Sequence, residues 1–91
     1  MAQTLTKMHD ASKGSFDKLK LVVINVANGA GETSITVDYA TYGIAVPIIY
    51  SHTIRDAHTA GNRHDNATGT SIVHTWNAAD AANVLVWCMG L

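Results

Sequence analysis

With 91 residues and a formal net charge of −1, from six Lys plus Arg against seven Asp plus Glu, the chain is one domain with a limited core and no basic excess to draw in nucleic acid. Its single cysteine, Cys88, excludes an intrachain disulfide and any cysteine-based zinc motif. No apolar run approaches the roughly 20 residues of a membrane helix, and the opening "MAQTLTKMHDASKGSFDKLK" lacks a signal-peptide core, so a reducing cytoplasm is the expected place of synthesis. The "NAT" at 66–68 fits a glycosylation sequon, but with no secretory route it carries no weight.

Met1 to about Phe16 is polar and without periodicity, and reads as a loosely attached arm or one that orders on a partner. The expected organisation is therefore a polar N-terminal arm over 1–17 and a β domain over 18–91. "LKLVVINVA", Leu19 to Ala27, is β-branched and strand-like. Asn28-Gly29 follows, a dipeptide that accepts positive φ at low cost, and then "TSITVDYA" alternates cleanly, with Ile35, Val37 and Tyr39 on one face. The pattern predicts a hairpin of these two strands.

"TYG", Thr41 to Gly43, reads as a turn, and "IAVPIIY", Ile44 to Tyr50, as a third strand. Pro47 lacks an N–H, so this strand belongs at a sheet edge or carries a bulge; "SHTI" can continue it. "GTSIVHTW", Gly69 to Trp76, is a fourth strand with Ile72, His74 and Trp76 on one face. "NAADAAN" is a short connection with room for one helical turn from Asn77, and "VLVWCMGL" is a fifth strand. The sum is an all-β fold: a single small antiparallel β-sandwich or barrel.

Three strands are apolar on both faces: Leu21 to Val26, Ile44 to Tyr50 and Val84 to Met89. A small antiparallel sheet buries one face and wets the other, and no helix is foreseen to cover the second. Exposing it would leave a large apolar patch, so second faces meeting across copies of the chain, with Trp76 and Trp87 as anchors, is the economical expectation.

Between the third and fourth strands lies "IRDAHTAGNRHDNATGT", Ile54 to Thr70. His52, His58 and His64 recur every six residues, His74 follows, and Asp56 and Asp65 lie nearby. Ligands on a strand converge at a spacing of two and on a helix at three or four, so this spacing predicts no preformed metal site and no cofactor. No nucleophile-elbow or phosphate-loop pattern occurs, and mid-strand Cys88 suits a packed thiol, so no enzyme is expected and no catalytic residue is assigned. His74 reads as a partly buried residue satisfied by a neighbouring acceptor. The stretch itself reads as a display or contact loop, with a short strand around His52 to Arg55 as the alternative.

"VVINVANGAGETSITVDYATYGIAVPIIY" followed by "GTSIVHTWNAADAANVLVWCMGL" resembles small virion structural proteins of tailed bacteriophages, of the capsid decoration (cement) and head-fibre type. The resemblance spans about residues 19–91 and rests on general character, namely one compact β unit, small residues, and Thr and Asn in the turns. It implies a homo-oligomer, a trimer favoured, bound to the major capsid protein on the capsid surface and stabilising it, with no nucleic-acid or membrane partner. The histidine-containing loop 52–70 is foreign to that pattern. It leaves a second expectation, a small β binding module that holds a metal or glycan.

Overall fold

The computed structural model describes residues 3–10, 19–29 and 31–91, with residues 8–10 as backbone. It contains seven strands among these residues: β1 (Thr4–Asp10), β2 (Lys20–Ala27), β3 (Ser34–Asp38), β4 (Pro47–Ile54), β5 (His64–Thr68), β6 (Ser71–Thr75) and β7 (Asn83–Gly90). They form two antiparallel sheets, one ordered β1-β2-β7-β4 and the other β3-β6-β5. The fold is an all-β sandwich rather than a closed barrel.

The alternation of apolar side chains builds the layer between the sheets. β2 turns Val22, Ile24 and Val26 inward, and β7 turns Val84, Val86 and Cys88 inward. The other sheet answers with Val37, Ile72 and Trp76, and Tyr39 joins them from a 3-10 turn over Tyr39–Tyr42. That turn is capped by the Asp38 carboxylate, which accepts from the Ala40 N–H at 3.1 Å and from the Thr70 hydroxyl at 2.6 Å. It ends on Gly43 at φ 92, a left-handed position that glycine occupies without strain. The Trp76 indole N–H donates to the Glu32 carbonyl at 3.1 Å, so the largest buried side chain is also satisfied.

The expected hairpin of Leu19–Ala27 with Thr33–Ala40 does not form. Both edges of β2 are occupied, one by β1 and the other by β7, so β3 crosses to the second sheet and pairs with β6. Asn28-Gly29 belongs to this crossover: the Asn28 N–H donates to the Ala82 carbonyl at 2.9 Å, and its side-chain amide donates to the Ala81 carbonyl, also at 2.9 Å.

The expected polar arm over 1–17 is corrected in part. Residues Thr4–Asp10 are an edge strand against β2, and Gln3 donates to the Asn28 side chain at 2.8 Å. The stretch TLTKMHD gives no clean apolar alternation, because an edge strand is held by ladder hydrogen bonds more than by burial. The rest of the arm, 1–2 and 11–17, lies outside the described residues.

Pro47 sits as its missing N–H requires: β4 is an edge strand and its register against β7 slips between Pro47 and Ile49. No helical turn starts at Asn77, whose φ of 50 departs from the extended conformation of an N-cap. The connection makes a tight turn instead, closed by the Ala81 N–H on the Ala78 carbonyl at 3.0 Å.

The two outer faces differ. On the three-stranded sheet the outward positions are Ser34, Thr36 and Asp38, then Ser71, Val73 and Thr75, then His64, Asn66 and Thr68, so that face is polar apart from Val73. On the four-stranded sheet three cross-strand rows run Leu21–Met89–Ile49, Val23–Trp87–Ser51 and Asn25–Leu85–Thr53. Leu21, Val23, Leu85, Trp87 and Met89 are half-buried there, and Val46, Ile48, Ile49 and Leu91 are exposed. The expectation of two-sided apolar strands therefore holds for β2 and β7, with Trp87 on the outer face and Trp76 on the inner one.

Candidate functional site: a histidine–aspartate cluster between the sheets

The stretch Ile54 to Thr70 is largely structured. Its start completes β4, its end is β5, and β5 turns into β6 through Gly69-Thr70, with Gly69 at φ 61. Glycine at the first position of a two-residue turn is what a primed hairpin favours. The link over 55–63 is pinned to the domain. Asp56 accepts from the backbone N–H groups of Ala82 at 3.0 Å and Asn83 at 2.9 Å, and these bonds hold its carboxyl below the usual range. Asp80 accepts from the Thr59 N–H at 2.7 Å and its hydroxyl at 2.9 Å, and is lowered likewise. Gly61 lies so close to the chain that an added Cβ would stand 2.5 Å from the Asn77 carbonyl oxygen. The expected display loop is thus a strap laid against the 76–83 segment, although residues 57–64 remain exposed.

The strap and the new strand bring together residues that their spacing separates. His52, on the inner face of β4, and His74, on the inner face of β6, are both buried, and Asp65 on β5 stands between them. The His52 Nδ1 lies 2.7 Å from Asp65 Oδ1, and the His74 Nδ1 lies 2.5 Å from the same oxygen. His74 Nε2 meets the Tyr39 hydroxyl at 2.8 Å. The rings of His52 and His74 pack edge to face at 5.9 Å between centroids, and His52 also packs on Trp76 at 6.0 Å.

The proton positions follow from the acceptors. A carboxylate oxygen can only accept, so both Nδ1 atoms carry hydrogen and donate to Asp65. In a neutral imidazole the other nitrogen is then a lone pair, and the Tyr39 O–H donates to it on His74. Burial raises the Tyr39 pKa well above the ordinary phenol range, which keeps that hydrogen in place. Burial pushes the His74 pKa down, and the Asp65 carboxylate pulls the other way. The chain of donors is therefore Tyr39 to His74 to Asp65, met by His52 from the opposite sheet. His52 Nε2 is buried without a hydrogen-bond partner.

Of the histidines that the sequence singles out, His58 and His64 are exposed, and they do not join the cluster. His58 Nδ1 turns back to the Asp56 carbonyl at 2.9 Å. His74 has its acceptor as expected but is fully rather than partly buried. β5 gives no strand signal because "HDNAT" has no apolar alternation; its one inward polar side chain, Asp65, is held by hydrogen bonds instead. Asp65 and His74 are cross-strand partners of a tight hairpin, and the "GT" at 69–70, taken as its two-residue turn, is the signal that could have found them. No family model matches the chain, and neither does any curated protein or solved structure.

The order Tyr39–His74–Asp65 is that of a hydroxyl, a base and an orienting carboxylate. Tyr39 and His74 have no exposed surface, however, so no substrate can rest on the hydroxyl. Cys88 is buried and its thiol is pushed up to about 11 by burial, which keeps it protonated and unreactive at neutral pH. What the cluster does directly is join the two sheets, with Asp65, at 15% side-chain exposure, as its wall toward solvent.

Proposed function

We propose that this chain is a structural assembly protein: copies associate through the outer face of the four-stranded sheet into a symmetric homo-oligomer that docks on and stabilises a larger protein lattice, as a virion decoration protein does. The observation that supports this is the apolar row Leu21–Met89–Ile49, continued by Trp87 and Val23 in the next row and flanked by exposed Val46, Ile48 and Leu91. The other sheet's polar outer face is how a wetted antiparallel sheet reads, so the apolar one is the exception in the molecule. A second copy is the occupant that fits. The rows grade from apolar to polar along the strands, toward Asn25–Leu85–Thr53, which suits two faces meeting off-centre with a polar rim. β4 adds an apolar edge of the kind that associates with another chain if left open.

Binding to an assembled lattice and not to its free subunits shifts the equilibrium toward the lattice, and closed symmetry lets several weak contacts act together. Native mass spectrometry at micromolar concentration tests the first half: a clean monomer of 9.7 kDa sinks the oligomer. The second half is tested by co-sedimentation with undecorated capsids and by the heat at which those particles rupture. If the protein neither sediments with them nor raises that temperature, the virion role fails even where the oligomer stands.

A further inference from the structure

We propose that His52, Asp65 and His74 form a binding site for one divalent transition-metal ion, with Zn2+ the ion its donors suit best. The site does not depend on how copies of the chain associate.

One ligating atom from each residue lies within 4.8 Å of the other two, and the three come from separate strands: β4 in one sheet, β5 and β6 in the other. Two imidazole nitrogens and one carboxylate oxygen form a borderline donor set that suits zinc better than magnesium or calcium, which prefer oxygen. Zinc bonds of about 2.0–2.2 Å put neighbouring tetrahedral donors roughly 3.3 Å apart. The Nδ1–Oδ1 separations of 2.7 and 2.5 Å must therefore open by less than about 1 Å. Asp65 is the residue placed to yield, since β5 is an edge strand and Asp65 is the least buried of the three. Its partial exposure also leaves a side from which the ion can enter and on which a fourth ligand can sit.

The protons balance. Without metal, two hydrogens, one on each Nδ1, hold the three side chains around a single oxygen. On zinc binding the Nδ1 lone pairs go to the metal and each neutral ring carries its hydrogen on Nε2 instead, so no net proton need be released. For His74 the new Nε2–H points at the Tyr39 hydroxyl oxygen, which changes from donor to acceptor across the same 2.8 Å contact. A metal-bound histidine fixed by an oxygen on its second nitrogen is the usual outer support of a zinc site. For His52 the Nε2 has no partner to lose, so the shift there gives up only the Nδ1–H···Asp65 bond that the metal replaces. Loading thus exchanges two N–H···O bonds for three coordination bonds and turns the cluster's carboxylate charge to the ion's advantage.

The test uses the full-length protein without an affinity tag, stripped with chelator and titrated with zinc chloride. Equilibrium dialysis with elemental analysis should find one zinc per chain, and melting should shift upward with zinc and return with chelator. Long-range nitrogen–proton spectra of the imidazoles report the tautomers in the unmutated protein. Two of the five histidines, His52 and His74, should start as Nδ1–H and become Nε2–H on loading. The double variant His58→Gln/His64→Gln should keep the zinc, and Asp65→Asn should weaken it at least about tenfold. The proposal is overturned if those two imidazoles do not change tautomer with zinc, or if the double variant loses the ion, which would place it on surface histidines. Because the tautomer readout needs no substitution, the result stands even if Asp65→Asn folds poorly.

Discussion

Asp65 and His74 face each other in the register of β5 and β6, and the same Asp65 oxygen that takes the His74 Nδ1–H at 2.5 Å takes the His52 Nδ1–H from the opposite sheet. One partly exposed carboxylate thereby satisfies two buried rings and ties an edge strand to both layers. Removing it orphans two buried donors. Asp65→Ala should cost roughly 3 kcal/mol or more, since a hydrogen bond to a charged group is worth about 1.5–3 kcal/mol. Urea denaturation of the metal-free protein measures it, and a loss below about 1 kcal/mol would show that the cluster holds nothing.

Acidification should loosen the fold before ordinary carboxylates titrate. The His74 pKa is lowered, chiefly by burial, with Asp65, His52 and Tyr39 as the titratable groups against its ring. The unfolded chain, near the ordinary histidine value of about 6.5, then binds a proton more readily than the folded one. Stability is therefore full above about pH 6.5 and falls as pH drops from there toward the lower folded value. Asp56 and Asp80, also lowered, act only in a separate window below about pH 4. Melting curves from about pH 7.5 to about pH 5 check this, and a flat profile counts against a neutral buried His74.

Tyr39→Phe keeps the packed ring and removes one donor. The His74 Nε2 lone pair is then left unpaired in the core, at a cost of about 1–3 kcal/mol. An unchanged urea midpoint would mean that the Tyr39 hydroxyl is not that donor.

The two tryptophans should separate core from surface. Trp76→Ala empties a fully buried site and should cost about 3–5 kcal/mol whatever the oligomeric state. Trp87→Ala, on the half-buried outer face, should cost less in the isolated chain but lower the native mass by dissociating copies. A Trp87→Ala protein that keeps its full oligomeric mass removes that face from the interface.

Gly90→Ala probes the closed end of the four-stranded sheet. An added Cβ would run into the Val46 carbonyl oxygen, where backbone rather than a flexible side chain must move. The Leu91 N–H bonds that same carbonyl at 3.0 Å, so the substitution should cost about 1–3 kcal/mol, read by thermal or urea unfolding.

What is legible in the sequence follows apolar alternation. β2, β3, β6 and β7 announce themselves through Val22/Ile24/Val26, Val37/Tyr39, Ile72/Trp76 and Val84/Val86, and Pro47 places its strand at an edge. Strands without a regular apolar stripe are not legible: β1 reads TLTKMHD, a mostly polar run beside β2, and β5 has only Asp65 and Ala67 on its inward face. The cluster is hidden for the same reason. Positions 52, 65 and 74 share no period, because their meeting depends on how two sheets stack, and His58 and His64 supply a more regular but unconnected rhythm.

The place of β7 governs the time course of folding. It lies between β2 and β4, so β4 gains no neighbour in its sheet, and β2 none beyond β1, until residues 83–90 arrive, while β5–β6 needs only a two-residue turn. Pairings that distant in sequence close slowly. Until they do, β2 and β4 present unpaired, apolar strand edges, and the chain is at its most adhesive. Crowded synthesis of many copies therefore favours clumping over productive association, and lowering the temperature and rate of expression should raise the soluble fraction more than any change to the finished surface.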